Sequence, residues 1–288
     1  MHFGLNLPNG GASADPRTMA DLAELAEQSG WDGVFLEDYI VYQNRIGTPT
    51  YDPWITLAAM ATRTQRIRLG TTVTPLPRRR VAKLAAEAVT LDHLSGGRLT
   101  LGVGLGDAWD VAVANLGEPT DNRVRAAMLD EGLDVLVGLW SGEPFTYHGR
   151  FYHAQDVTLL PRPVQKPRIP IWIGGGYPNS GPVRRAARWD GSCLCIPTNY
   201  SATGFTQRDW TADDVRTFLA TVAQIRPQGA AAFDMYVGGR ERQSDWAAER
   251  AMIDSLADAG ATWWVEWIAP ADRRTTESAI ARGPLRSA

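Results

Sequence analysis

Short apolar runs alternate along this chain with longer amphipathic segments. The apolar runs predict eight strands, which cover residues 2–7, 33–36, 67–73, 99–103, 169–173, 193–196, 233–237 and 262–267. Between them, apolar residues recur at helical spacing over residues 16–28, 80–94, 121–140, 183–189, 211–225 and 244–258, from Pro53 onward, and in a short segment after the last strand. This alternation predicts an α/β protein with a parallel sheet.

Eight strand–helix units in a chain of this length favour a single TIM (β/α)8 barrel over residues 1–288. A doubly wound sheet is the competing fold. It is disfavoured because no Asp or Glu stands where a dinucleotide-binding GxGxxG unit needs one. Asp15 or Asp21 is the candidate cap of the first helix, and Gly30 is placed to close it.

Two segments depart from the strand–helix alternation. Residues 142–168 read as a small hairpin around His148 and Gly149 followed by proline-rich chain, so we interpret them as an insertion between strands four and five. Residues 198–208 are rich in Ser, Thr and Gly and are a candidate mobile loop over the site.

Composition narrows the class of protein. The chain has 288 residues, of which 44% are hydrophobic and 21% charged, and its formal net charge is -3. No basic surface therefore argues for nucleic acid, and no apolar run reaches the roughly 18 residues of a membrane span. The chain begins on a strand-like segment, so we expect no signal peptide. The 11 Trp indicate either an aromatic-lined cavity or a bulky core.

Cysteine and histidine placement bears on redox and metal chemistry. Cys193 and Cys195 stand two residues apart on one predicted strand, where a disulfide is poorly placed, which fits a reducing cytoplasm. The four histidines are scattered without the spacing of metal ligands, so we expect no metal site.

The fourth predicted strand enters a run of glycines. Gly104 and Gly106 follow the apolar run from Leu99 to Val103, and such bare backbone lets a flat cofactor approach a strand end. The alternative is a tight strand-to-helix turn. Asp107 either accepts a hydrogen bond from a ring or substrate, or caps the next helix.

The fifth predicted strand also ends in glycines. Free N–H groups of Gly174, Gly175 and Gly176 would form an anion nest, and a helix from about Val183 would add the positive end of its dipole.

Several motifs together resemble the bacterial luciferase-like superfamily. They are residues 74–79 (TPLPRR), 91–104 (LDHLSGGRLTLGVG), 139–142 (LWSG), 147–150 (YHGR), 161–165 (PRPVQ), 170–175 (PIWIGG) and, at the end, 282–285 (RGPL). The resemblance implies a TIM barrel that binds FMN or the deazaflavin coenzyme F-420 and catalyses hydride transfer or oxygen-dependent monooxygenation. It also implies a homodimer, which we place at the helices near strands two and three.

The resemblance further implies a cofactor site at the strand ends. Thr72–Val73 is the candidate for a non-proline cis peptide against the cofactor ring, with a plain strand that ends at Pro75 as the alternative. The phosphate or ribityl chain would lie near the fifth strand, beside Cys195. The assigned cofactor residues are Asn6, Thr72, Val73, Thr74, Gly104, Gly106, Asp107, Gly174, Gly175, Gly176, Cys195 and Ile196. For Cys195, a role as a small apolar strand residue outweighs redox chemistry.

The candidate catalytic residues are Glu37, Asp38 and Tyr39, at the end of strand two. Many family members carry Asp-His here, whereas this chain has Tyr39. Tyrosine can donate a hydrogen bond or a proton but is a poor base, so Asp38 or Glu37 would supply the base if burial raises its pKa. Alternatively, Tyr39 only lines the pocket.

The pattern of arginines bears on the choice of cofactor. Leu105 stands where bacterial luciferase has an arginine that helps to hold the FMN phosphate, which favours coenzyme F-420. The candidates for an anionic tail are Arg78, Arg79, Arg80, Arg184 and Arg185, with surface solvation as the default interpretation of each.

Three functions remain open from the sequence. The leading hypothesis is hydride transfer between reduced coenzyme F-420 and an organic small molecule. The second is a two-component monooxygenase that receives FMNH2 from a separate reductase and uses O2, and the third is a non-catalytic flavin-binding barrel. The substrate cannot be identified, although the aromatic residues Tyr39, Tyr42, Tyr51, Trp54 and Trp109 hint at an apolar or planar molecule.

Overall fold

The computed structural model describes residues 1–107, 110–201, 204–227 and 231–287. Its strands are β1 His2–Leu7, β2 Gly33–Leu36, β3 Arg68–Thr71, β4 Thr74–Pro75, β5 Leu99–Gly104, β6 Phe145–His148, β7 His153–Val157, β8 Ile171–Gly176, β9 Gly191–Ser201, β10 Gly204–Arg208, β11 Asp234–Arg240 and β12 Trp263–Trp267. Eight of them pair in parallel in the order β1, β2, β3, β5, β8, β9, β11, β12, and β12 pairs back to β1. The sheet is therefore a closed barrel.

Helices connect successive barrel strands. They are α1 Pro16–Gln28, α2 Pro53–Arg63, α3 Val81–Leu94, α4 Val111–Ala114, α5 Asn122–Trp140, α6 Ser180–Arg188, α7 Ala212–Ile225, α8 Trp246–Asp258 and α9 Arg273–Ala281. The TIM-barrel prediction is confirmed, and the doubly wound alternative is wrong. Among the described helices, none combines the length and the apolar character that crossing a membrane requires.

Aspartate side chains begin many of these helices. The carboxylate of Asp15 accepts hydrogen bonds from the backbone N–H groups of Arg17 and Thr18, so Asp15 rather than Asp21 caps α1. Asp52, Asp110, Asp121, Asp245 and Asp272 do the same for α2, α4, α5, α8 and α9. At the other end of α1, Gly30 has a φ of 88°, which confirms its predicted role as the closing glycine.

The remaining strands lie outside the barrel ring. β6 and β7 form an antiparallel hairpin inside the segment 142–168, between the fourth and fifth barrel strands. β10 pairs antiparallel with the end of β9, so most of the stretch 198–208 is strand, while residues 202 and 203 lie outside the described residues. Mobility of this stretch stays a prediction.

Aromatic side chains fill the barrel centre. Phe35, Trp172, Tyr236 and Trp263 form one buried cluster, in which the Phe35 ring lies 5.2 Å from Trp172 and 5.7 Å from Trp263. Glycine makes room for it, since a Cβ on Gly33 would lie 3.0 Å from Trp263. Most described tryptophans are buried, which supports the bulky-core interpretation. Any site on this barrel axis therefore lies above or below the aromatic cluster.

Candidate functional site

Polar side chains meet at the carboxyl ends of the barrel strands, where TIM-barrel active sites lie. The Thr72 hydroxyl donates to Asn6 Oδ1 at 3.0 Å, which joins the ends of β3 and β1. The indole Nε1 of Trp267 donates to Glu37 Oε1 at 3.2 Å, which joins β12 to the residue after β2. We call this end the mouth of the barrel.

The peptide bond between Thr72 and Val73 is cis, as predicted, and separates β3 from β4. The Val73 side chain packs on two glycines, because an added Cβ would lie 2.8 Å from Val73 on Gly104 and 2.7 Å from it on Gly174. These two glycines therefore make room for Val73, and cofactor contact at Gly104 stays a prediction. Thr74 is fully buried and accepts a hydrogen bond from the Trp54 indole while it donates one to Thr71, so it supports the backbone that follows the cis bond.

The turn after β5 is tight. Gly106 has a φ of 73°, and a Cβ there would lie 2.7 Å from Pro75 and 3.1 Å from Arg125 Nη2, so the turn requires glycine. Asp107 does not cap the next helix, because Asp110 does so by accepting from the Ala112 N–H at 2.8 Å. The capping alternative for Asp107 is therefore wrong. Burial raises the pKa of Asp107, whereas nearby Arg125 lowers it.

Glu37 is a half-buried acid at the mouth. One carboxylate oxygen accepts from Trp267, and the other is buried without a hydrogen-bond partner among the described residues. Burial raises the pKa of Glu37 to about 7, although Tyr42 and Trp267 favour the ionised form. Glu37 therefore changes charge near neutral pH, which suits a general acid or base.

Asp38 has the opposite environment to Glu37. Its buried carboxylate lies with both oxygens 2.7 Å from Arg79 Nη2 and with Oδ1 3.1 Å from Arg78 Nη2. Arg78 also pairs with Asp110 at 3.2 Å, so one network joins the loops after β2, β4 and β5. Because both of its oxygens bond arginine side chains, the geometry of Asp38 suits anchoring more than proton transfer.

Surface solvation was the default interpretation of the arginines, and it is wrong for three of them. Arg78 and Arg79 lie in the network with Asp38, and Arg185 is buried with its Nε 2.7 Å from Asp130.

Tyr39 is half-buried and held by its backbone. The side chain of Asn9 donates to the Tyr39 carbonyl at 2.8 Å and accepts from its N–H at 3.2 Å. Burial raises the pKa of Tyr39 well above its usual value, and the charges of Glu37 and Asp107 add to the effect. The phenol therefore stays protonated and can donate a hydrogen bond but not act as a base.

The other described aromatic residues of these loops pack into the protein and do not line an open pocket. Tyr42 and Trp54 are buried, Tyr51 is half-buried, and Trp109 lies outside the described residues.

The glycines of the fifth barrel strand are strand residues. Gly174, Gly175 and Gly176 continue β8 in register with β9, rather than forming an open loop of free N–H groups. The following helix begins at Ser180, three residues earlier than predicted.

The two cofactor residues assigned to β9 differ in exposure. Cys195 is half-buried with its Sγ 3.6 Å from the Gly175 carbonyl oxygen, while Ile196 is buried. Burial raises the pKa of Cys195 to about 11, so its thiol is protonated at neutral pH and redox chemistry is not favoured.

Three residues at the mouth had not been singled out as catalytic from the sequence. Tyr42 and Trp267 act on Glu37, Tyr42 from the same loop and Trp267 from the other end of the chain. Arg125 is buried on α5, donates to the Leu105 carbonyl and lies beside Asp107. The sequence does point to Arg125, because an arginine four residues before Leu129 stands on the apolar face of α5, where a charged residue is unusual.

A concave region lies at the amino end of the barrel, opposite the mouth. It has a volume of about 390 Å³. Its lining residues are His2, Glu27, Gly30, Trp31, Asp32, Arg66, Ile67, Arg68 and Trp263. The aromatic cluster separates it from the mouth, and TIM-barrel chemistry belongs to the carboxyl end. Within the described ranges, no three His, Cys, Asp or Glu side chains converge on a metal position.

Comparisons with known proteins agree with this architecture. The family model described as luciferase-like monooxygenase matches residues 1–234. An F-420-dependent glucose-6-phosphate dehydrogenase from Nakamurella multipartita is 36% identical over 166 residues, which are 57% of this chain and 48% of the relative. The chain thus spans about half the length of the curated relatives it matches.

Two solved structures show the same fold over nearly the whole chain. An F-420-dependent secondary alcohol dehydrogenase, solved with an F-420–acetone adduct, has a TM-score of 0.74 at 17% identity and covers 99% of this chain and 98% of its own. Monooxygenase RslO1 from Streptomyces bottropensis has a TM-score of 0.70 at 21% identity and covers 97% of this chain and 96% of its own.

Proposed function

This chain belongs to the luciferase-like monooxygenase family, and we propose that it is an oxidoreductase that transfers hydride between coenzyme F-420 and an organic small molecule. The observation that carries the proposal is the Glu37 carboxyl, which has one buried oxygen without a partner among the described residues, at the mouth of the barrel. The name of the curated relatives supports the choice of coenzyme.

The residues at the mouth fit a flat ring system. Val73, Thr72 and Cys195 are half-buried and surround the strand ends, and Val73 presents an apolar surface over Gly104 and Gly174. We assign the anionic side of the coenzyme to the amino end of α6, where Arg184 is exposed. When bound, the deazaflavin would supply a carbon that accepts or returns a hydride.

Glu37 would move the proton of the reaction. In the oxidation of an alcohol, its carboxylate accepts the hydroxyl proton as the C–H bond gives up its hydride, and in reduction it returns that proton to the carbonyl oxygen. The hydrogen bond from Trp267 orients the carboxylate, and a pKa of about 7 lets it act in both directions at neutral pH.

Asp38 and Tyr39 would position the substrate and the loops rather than exchange protons. Asp38, Arg78 and Arg79 hold the loop that carries Glu37 against the loop after β4. Tyr39 keeps its proton and can donate a hydrogen bond to an oxygen of the substrate or coenzyme.

A two-component monooxygenase that uses FMNH2 from a separate reductase is the second candidate. The fold that this chain shares with monooxygenase RslO1 supports this second candidate. Leu105 at the position of the luciferase arginine argues against an FMN phosphate site of that type, although buried Arg125 contacts the same turn.

Titration of the purified protein with F-420 and with FMN tests the proposal. We expect F-420 to bind more tightly, by absorbance and fluorescence, and bound F-420 to be reduced by an alcohol substrate. Preferential binding of FMN with O2 consumption would replace the proposal with the monooxygenase. Tight binding without turnover of any donor or acceptor would support a non-catalytic flavin-binding barrel.

We also propose a cytoplasmic homodimer. Ile40, Ile46 and Ile55 are exposed on the loop after β2 and on α2, with Ile46 fully exposed, and an apolar surface of this kind suits an interface. The two described cysteines are free, which suits a reducing compartment.

A further inference from the structure

We propose that the concave region at the amino end of the barrel is a second small-molecule site, which binds a carboxylate carried on a flat ring. The region has a volume of about 390 Å³, inside the range of about 300–1,000 Å³ that ligand pockets span. The aromatic cluster lies between this region and the mouth, so the second site is separate from the proposed function and does not depend on it. We call this region the lower pocket.

The lower pocket is built where three neighbouring barrel strands begin. His2 begins β1, Asp32 stands directly before β2, and Arg68 begins β3. The Arg68 N–H donates to the Asp32 carbonyl at 2.9 Å, and the Asp32 N–H donates to the Phe3 carbonyl at 2.7 Å. The wall of the lower pocket is therefore fixed by backbone pairing of the barrel itself.

The two carboxylates that line the lower pocket are already satisfied by the protein. Glu27 accepts hydrogen bonds from the backbone N–H groups of residues 65–67, at 2.6 to 3.0 Å. Asp32 Oδ2 accepts from the Phe3 N–H at 2.7 Å and from Arg286 Nη2 at 2.9 Å. Neither acid therefore needs a cation from a ligand.

The two arginines that line the lower pocket have the opposite status. Arg68 is half-buried, and among the described residues its guanidinium donates to the Thr100 hydroxyl at 3.3 Å and to no carboxylate. Arg66 is exposed, and its Nη2 donates to the Glu27 carbonyl oxygen at 3.4 Å. A guanidinium carries five N–H donors in a planar fork that matches a carboxylate. Most donors of these two side chains can therefore receive an anion.

The partners of Arg68 set it apart from other arginines that are shielded from water. Arg98, Arg125 and Arg226 also pair with no carboxylate among the described residues, but each donates to at least one backbone carbonyl. In the same part of the chain, Arg68 has a hydroxyl as its side-chain partner and no carbonyl. The Arg68 guanidinium is therefore the weakly partnered cation of this group, and it lines a pocket.

Aromatic side chains supply a flat surface beside these cations. The His2 ring packs on the Trp263 ring, with ring centres 4.8 Å apart and planes inclined by 30°. The His2 side chain is 62% exposed, so much of its ring is open to a ligand. Trp31 and Ile67 line the same pocket. A flat ring can stack on His2 while its carboxylate meets the arginines.

Calorimetric titration of the full chain with benzoate tests the proposal, and benzamide is the neutral match. We expect benzoate to bind with a Kd below about 1 mM and benzamide to bind at least about tenfold more weakly, because it lacks the charge. Inorganic phosphate is the other source of an oxyanion. It should bind more weakly than benzoate, because it cannot stack on His2, and tighter binding of phosphate would overturn the carboxylate assignment.

Substitution of Arg68 locates the bound anion. Arg68→Gln should weaken benzoate binding by at least about tenfold, and Arg68→Lys should give an intermediate loss, because lysine keeps the charge without the planar fork. Arg250→Gln, at an exposed position on α8, is the matched control and should leave the Kd unchanged. Circular dichroism checks that the three variants fold.

Four results would overturn the proposal. The first is equal affinity for benzoate and benzamide, and the second is benzoate binding that Arg68→Gln leaves unchanged. The third is the lack of saturable benzoate binding below about 10 mM. The fourth is competition between benzoate and F-420, which would place benzoate at the mouth, whereas the lower pocket should bind benzoate equally with and without F-420.

Discussion

Trp267 Nε1 lies 3.2 Å from Glu37 Oε1, and this hydrogen bond joins two residues that are 230 positions apart in the chain. It ties the last barrel strand to the second and leaves the other Glu37 oxygen buried and unpartnered among the described residues. Tyr42 lies beside the same carboxyl. Burial raises the pKa of Glu37 to about 7, while Trp267, from the far end of the chain, orients its carboxylate and Tyr42, from the same loop, lies beside it.

Glu37→Gln is expected to reduce hydride transfer by about 10²- to 10⁴-fold, the usual contribution of a general acid or base. F-420 affinity should change little, because the amide keeps the Trp267 contact. Single-turnover kinetics measure the first effect and fluorescence titration the second. Activity within a few-fold of the unchanged enzyme would remove Glu37 from the mechanism, and Glu143→Gln is the matched control.

The rate of alcohol oxidation should rise with pH through about 7, because the base is the ionised form of Glu37. The rate of the reverse reduction should fall over the same range. A pH profile of kcat in both directions checks this. A profile without an ionisation near 7, or one that survives in Glu37→Gln, would contradict the assignment.

The raised pKa of Glu37 also predicts that the stability of the folded protein depends on pH. The pKa of Glu37 is about 7 in the folded protein against an ordinary value of 4.5, so between these values the folded state holds a proton that the unfolded state lacks. Stability attributable to Glu37 therefore falls as pH rises through this window. Glu37→Gln should raise Tm relative to the unchanged protein at pH 8 and have little effect at pH 5.

Asp38→Asn should reduce the free energy of unfolding by about 3–5 kcal/mol. The substitution removes the carboxylate that pairs with both Arg78, which is buried, and Arg79, which is largely buried. Asp134→Asn is the matched control. It breaks an exposed pair with Arg188 and should cost less than about 1 kcal/mol. Urea unfolding measures both, and equal effects would show that the Asp38 network is not a buried ion pair.

Gly104→Ala should destabilise the protein by about 1–3 kcal/mol, since the new Cβ would lie 2.8 Å from a Val73 methyl group. Val73→Ala in the same chain should recover part of this loss. A double-mutant cycle measures the coupling. Additive effects would mean that Val73 does not occupy the space above Gly104.

Ile46→Asp combined with Ile55→Asp should convert a dimer to a monomer without changing the fold. Light scattering measures the mass, and circular dichroism checks the fold. Ile225→Asp, at an exposed position on the end of α7, should leave the mass unchanged. An unaltered dimer in the double variant would place the interface elsewhere.

Local chemistry explains why most elements were predictable from the sequence. Asp15 and Pro16 start α1 and Gly30 ends it, all through interactions within a few residues. The alternation of buried strands with helices specified the barrel, because few folds bury so many short apolar runs. The resemblance to a family predicts the cis bond at Thr72–Val73, and the structure contains it.

The roles within the site depended on tertiary structure. Glu37, Asp38 and Tyr39 are neighbours in sequence, and the sequence alone left either acid as the base. Asp38 meets arginines from 40 and 41 positions away, while Glu37 meets Trp267 from the other end of the chain. Likewise, the packing of Val73 on Gly104 is visible only in the tertiary structure. Sequence determined which residues reach the mouth, because strand ends are local. The fold determined that Asp38 pairs with arginines and that Glu37 is shielded from water, because burial and charge depend on residues that only the closed barrel brings together.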